Sequence, residues 1–138
     1  SGTSLKPTLT NPRHPPMIKI VFCLKRLPSL SRAEFHDYWR NRHAPLVARH
    51  AAVLGIHRYV QCHTMDDATF AKAAGVRGGL PPYDGVAELW ISDAPSQGTP
   101  EERRLASQAL LEDERRFIDL DASPLFYAQE NVVIDGQV

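Results

Sequence analysis

The pattern of apolar and polar positions predicts four strands and two long helices. Residues 17–24, "MIKIVFCL", are β-branched or aromatic and almost continuously apolar. A run of that kind predicts a strand buried on both faces. "LPSLSRAEF" supplies a turn and then a helix start, with Ser31 as N-cap and Glu34 three residues on, the spacing of a capping box. Phe35, Trp39, His43 and Leu46 follow a three-to-four step, which predicts one buried face on a helix running to about Leu54. Gly55 is a natural stop. "IHRYVQCHT" predicts a second strand with His57, Tyr59, Gln61 and His63 on one face and Val60 and Cys62 on the other. The pattern leaves open which face meets the helices.

The second half repeats the scheme. Residues 65–82 form a long connection with a short helix at 68–74. "YDGVAELWIS" predicts a third strand, and "GTPEERRLASQALLEDERRFIDLD" a second long helix, capped by Thr99, with Pro100 at its first position and acids in its first turn. "SPLFYAQENVVI" predicts the fourth strand. The order strand, helix, strand, strand, helix, strand is an α+β arrangement, the ferredoxin-like split βαβ unit, with an antiparallel sheet and both helices on one face. The other face must be covered, and the simplest cover is the same face of a second copy, giving a two-fold homodimer. Residues 1–16, rich in Pro, Thr and Ser, read as an extended arm or a remnant foreign to the native chain, and residues 17–138 as the domain.

Composition adds exclusions. Among 138 residues, sixteen basic and sixteen acidic side chains cancel with no basic block, so neither nucleic acid nor an anionic membrane is an expected partner. No apolar run approaches the roughly 20 residues that span a bilayer. Cys23 and Cys62 lie in apolar stretches on strands that are not neighbours in this fold. They read as buried free thiols of a reducing, cytoplasmic compartment.

The candidate chemistry gathers at "YWRNRHAPL". Pro45 cannot donate to the carbonyl of Asn41 and pushes Ala44 off helical geometry, so a break is expected there, with Pro45 opening a second segment. His43 would sit at the bend, held in one tautomer and aimed inward; the plainer reading is a core histidine that satisfies the broken turn. Ala106, Ala109, Leu110, Asp113 and Phe117 share a face of the second helix. An unpaired carboxylate there is costly, so Asp113 is the expected partner of His43, fixing the ring and favouring its charged form. If the helix is rotated by one residue, Asp113 is solvated and Glu112 or Glu114 lies inside instead. Phe35, Trp39, Tyr59, His63, Trp90 and Phe117 are candidates to touch a ligand. His57 and His63 stand roughly 20 Å apart along a strand, and neither HExxH nor CxxC occurs, so no metal is expected. Neither G-x-S-x-G nor a phosphate-binding glycine loop is present.

Taken together, "MIKIVFCLKRLPSLSRAEFHDYWRNRHAPL", "PPYDGVAELW" and "EDERRFID", in that order, resemble the EthD-like family, named for ethyl tert-butyl ether degradation, of the dimeric α/β-barrel superfamily. The resemblance spans residues 17–134. It implies that the histidine of the HxP motif, His43 here, lines a pocket between helices and sheet. It does not choose the chemistry, since the wider superfamily includes muconolactone isomerases, polyketide cyclases, cofactor-free monooxygenases, plant hydroxynitrile lyases and haem-binding enzymes. The expectation that follows is a small cofactor-independent enzyme. His43 would move a proton near a carbonyl of a lipophilic aromatic, polyketide-like or lactone substrate, in an isomerisation, dehydration, cyclisation or lyase reaction. The alternatives are cofactor-free oxygenation of a phenol, haem binding, and a non-enzymatic dimeric binding or accessory protein with a filled core.

Overall fold

The computed structural model describes residues 17–92 and 97–136; the expected arm, 1–16, lies outside them. Strands β1 (Met17–Leu24), β2 (Ile56–His63), β3 (Gly85–Ser92) and β4 (Leu125–Ala128) form one antiparallel sheet in the order β2-β3-β1-β4. The main helices are α1 (Arg32–Tyr38), a π-helical turn (Trp39–His43) that continues into α2 (Ala44–Leu54), and α4 (Pro100–Glu114). A short α3 (Ala68–Gly75) occupies the β2–β3 connection. This is the expected ferredoxin-like topology.

The caps form as the sequence implies. Ser31 with Glu34, and Thr99 with Glu102, make complete capping boxes, and Gly55 ends α2 in the left-handed region at φ 71°. The helix-side core is Phe22, Leu24, Ala87, Phe35, Trp39, Phe117 and Ile118. Gly85 permits it: a Cβ there would lie 2.5 Å from the Trp39 ring and 2.9 Å from the Cys62 carbonyl.

Five expectations are corrected. Pro45 lies in the first turn of a second α-helical segment, as expected, but Ala44 is not pushed off helical geometry and stays at φ −56°, ψ −44°. The turn widens instead: the Ala44 amide donates to the Trp39 carbonyl five residues back, which takes up the irregularity without a bend in the backbone angles. The second long helix stops at Glu114, and Phe117 and Ile118 are buried beyond it, with Ile118 bridging to Arg26. The fourth strand is four residues, not twelve; after Ala128 the chain leaves the sheet, and Glu130 turns to Trp90 and Lys19. The outer sheet face is not uniformly apolar. Lys19 pairs with Glu88 at 2.6 Å, and Lys19 and Arg58 both lie over the Trp90 ring. Both cysteines are free, as expected, each standing opposite Val86 from a different side, but neither is buried: Cys23 is half-buried and Cys62 exposed.

Candidate active site

The site forms where the π-helical turn meets the end of α4. His43 is 4 % exposed, and its Nδ1 lies 2.7 Å from Asp113 Oδ2. The other oxygen of Asp113 accepts from the Tyr38 hydroxyl, also at 2.7 Å. Asp113 is thus inside and doubly partnered. Tyr38 and His43 are five residues apart, a spacing that would place them roughly 140° apart on an α-helix. The wider π turn brings them to one carboxylate. With Nδ1 engaged as a donor to Asp113, Nε2 carries the free lone pair, and among the described residues the ring makes no other hydrogen bond.

Burial pushes the His43 pKa down, and the opposing pull of Asp113 does not recover it. Asp113 favours the charged ring, as expected, but desolvation outweighs that pull and leaves the neutral imidazole preferred. Burial likewise raises the Tyr59 phenol, and burial together with the Asp113 carboxylate raises Tyr38.

His43 lines a small cavity with Trp39, Val47, Tyr59, Leu110, Glu114 and the sheet residues beneath them. Tyr59 accepts from the Trp39 indole at 3.1 Å and from Gln61 at 3.0 Å, which answers the open question: the Tyr59–Gln61–His63 face of β2 meets the helices. A β-bulge between Ile56 and Arg58 leaves His57 exposed. Phe35 and Phe117 are wholly buried packing rings, Phe117 lying 5.0 Å from His43 and Phe35 deeper. His63 stacks on Trp39 at 4.5 Å outside the cavity, its pKa pushed down to about 4 by burial and by the charges of His36 and Arg40. Trp90 lies on the opposite face of the sheet, where it donates to Glu130 at 3.1 Å. Of the candidates, the structure brings together His43, Asp113, Trp39 and Tyr59, with Phe117 behind them; His63 touches Trp39 from outside the cavity, and Trp90 stands apart.

Two residues of the site were not among the sequence candidates. Tyr38 lies on the wrong face for α-helical spacing. The spacing makes Glu114 an alternative to Asp113, whereas in the structure Asp113 binds His43 and Glu114 lines the cavity as well. Burial, with help from the Asp113 charge, lifts the Glu114 carboxyl to about 7.

A family profile described as "EthD domain" matches residues 27–121, most of the chain. The chain belongs to the EthD family. Two solved structures show the same fold. One is an ethyl tert-butyl ether degradation family protein from Bacillus halodurans C-125, 17% identical, matching 83% of this chain and 99% of that one with a TM-score of 0.53. The other is an EthD-like protein from Ralstonia eutropha JMP134, also 17% identical, matching 88% and 96% with a TM-score of 0.51. No protein of curated function matches the sequence. Among the described residues, no helix of this EthD protein is long and apolar enough to cross a membrane.

Proposed function

We propose that this EthD protein is a small acid–base catalyst that works without a cofactor, with His43 as its general base. The substrate class is a lipophilic aromatic, polyketide-like or lactone compound with an acidic C–H or O–H, and the reaction an isomerisation, dehydration, cyclisation or elimination. The observation that carries the reading is the Tyr38–Asp113–His43 chain, two hydrogen bonds of 2.7 Å that hold a neutral ring beside a cavity. Asp113 fixes the tautomer and stabilises the imidazolium once a proton has moved. The apolar lining strengthens both effects by excluding water.

A second reading, a dimeric binding or accessory protein, is favoured by the size of the cavity. It measures about 40 Å³, whereas a site that holds benzene has roughly 150 Å³. Under the catalytic reading only the reacting end of a substrate enters unless Val47, Leu89 and Leu110 give way. Imidazole NMR of 15N-histidine-labelled protein with added phenol separates the two. The catalytic reading expects a neutral Nδ1–H tautomer for His43 at pH 7 and movement of its signals as phenol is added. A ring that neither titrates nor responds would leave the binding or accessory reading, with the cavity as packing space. We further propose a homodimer joined through the outer sheet faces, as apolar residues there and beyond β4 are left uncovered by the protomer.

A further inference from the structure

Glu114 lies in the wall of the same cavity and is not used by the Tyr38–Asp113–His43 chain. It is the last residue of α4, placed one position beyond Asp113 so that the two carboxylates leave the helix at different angles. Asp113 meets Tyr38 and His43, while Glu114, among the described residues, forms no hydrogen bond or ion pair with a protein group. A half-buried carboxyl that shares the cavity wall with Leu110, Leu89, Val47 and Trp39, with no fixed partner, is costly to keep ionised. The titratable groups around it are Asp113 on its own helix, Arg115 just past the helix end, His43 from the π-helical turn and Tyr59 from β2; α2 contributes only Val47 to the lining.

We propose that Glu114 is a second proton-handling group of this cavity, acting on the carbonyl oxygen of a neutral, enolisable ligand while His43 acts on the adjacent carbon. The proposal rests on His43 being the base. The step balances with no further reactant. His43 Nε2 takes a proton from the carbon next to the carbonyl, and the C–H electron pair becomes a C=C bond. The carbonyl π pair takes the proton of Glu114. The product is an enol, with an imidazolium on one side and a carboxylate on the other. The imidazolium then returns its proton to the same carbon or to a different one while the enol hydroxyl returns its proton to the Glu114 carboxylate, which restores both groups. A lift of the carboxyl to about 7 supports this assignment, since a proton donor must hold its proton at rest. The substrate class narrows accordingly: an anionic ligand would face an unpaired carboxyl that loses its proton above neutrality, whereas a neutral ketone, enone or lactone would be hydrogen-bonded by it.

The test uses the full chain, with acetone as the probe because a cavity of this size admits little more. Exchange of acetone hydrogens for deuterium in D2O is followed by proton NMR against protein-free buffer. In parallel, protein labelled with 13C at glutamate carboxyls is titrated, and Glu114→Gln identifies the signal. Glutamine has the same shape and no charge, so the variant is expected to melt near the parent at pH 4.5, where the parent carboxyl is protonated in the fold. The expected result is a Glu114 signal that titrates near neutrality, exchange that falls as pH rises through that value, and a loss of roughly 100-fold in Glu114→Gln and in His43→Gln. Exchange that survives Glu114→Gln but not His43→Gln would overturn the proposal and leave the His43 reading intact. A Glu114 signal that titrates as an ordinary glutamate would overturn it too. Absence of exchange in the parent protein would overturn both.

Discussion

His43 and Asp113 are separated by 70 positions in the chain yet share one hydrogen bond, and their pairing was legible because each broke a local rule. A histidine two residues before proline and a carboxylate in an apolar helix row both need a reason. Tyr38 broke no rule, and its role depends on a π turn that no spacing argument anticipated. His43→Gln preserves a hydrogen bond toward Asp113, whereas His43→Leu leaves the half-buried carboxylate with Tyr38 alone. We expect the glutamine variant to melt close to the parent and the leucine variant to lose about 1–3 kcal/mol, while both lose proton transfer. Equal melts with retained acetone exchange would make the ring mere packing. Glu114 gives a pH-dependent prediction. Its folded pKa, about 7, lies above its ordinary value of 4.5, so the unfolded chain releases the proton first as pH rises. The stabilising preference for the protonated fold is complete below 4.5 and lost as pH climbs through 7. Glu114→Gln is therefore expected to raise the melting temperature relative to the parent at pH 8, and not at pH 4.5. Thermal melts at the two values check it.

At the scale of elements, β1, the Ser31–Glu34 capping box, the Thr99 cap and the Gly55 stop were readable, since each depends on local chemistry. The ends of α4 and β4 were not, because they depend on partners. Phe117 continues the apolar row of α4, yet it packs on Phe35 after the helix has ended. "NVVI" reads as strand, yet it leaves the sheet. The junction of β1, α1 and β3 is held by Asp84, which falls inside the predicted strand "YDGVAELWIS" and stands out by no spacing, whereas the observed strand begins one residue later, at Gly85. Its carboxylate accepts from the Arg26 amide at 2.8 Å, from the Arg26 guanidinium at 2.6 Å and from Arg32 at 3.0 Å, while its carbonyl meets His36 at 2.7 Å. Burial alone would raise its pKa, but those donors outweigh it and hold the group below 3.8. A depressed folded pKa means that the stabilisation is present in full above 3.8 and is lost as pH falls through the lower folded value. Asp84→Asn is expected to cost about 2 kcal/mol at pH 7, discounted because Arg26 is partly in solvent. The gap between variant and parent should close in acid below pH 3.8. Urea melts of both proteins at pH 7 and pH 3 would expose a constant gap if the charge is irrelevant.

At the scale of the whole molecule, the sheet has one face under the helices and one without. Alternation places Val21, Val60, Val86 and Phe126 on the open face, around the Lys19–Glu88 pair and Trp90. Beyond β4, Val132, Val133 and Ile134 are 65%, 84% and 87% exposed. A protomer alone would leave this apolar surface in water, which is uncommon for a stable monomer. The charges do not forbid a second copy against the face, because Lys19 already has its partner at 2.6 Å within the protomer and needs none across the seam. Val21 stands in a central row between Glu88 and Phe126, with its side chain turned away from the protomer's own core. Val21→Lys therefore places a charge in the proposed interface at small cost to the isolated protomer. We expect light scattering at micromolar concentration to give a dimer for the parent and a monomer for this variant, with a lower melting temperature that no longer depends on protein concentration. A parent that is monomeric throughout would remove the dimer. A dimer that survives Val21→Lys would move the contact away from this face, to other exposed apolar surface such as the run at 132–134.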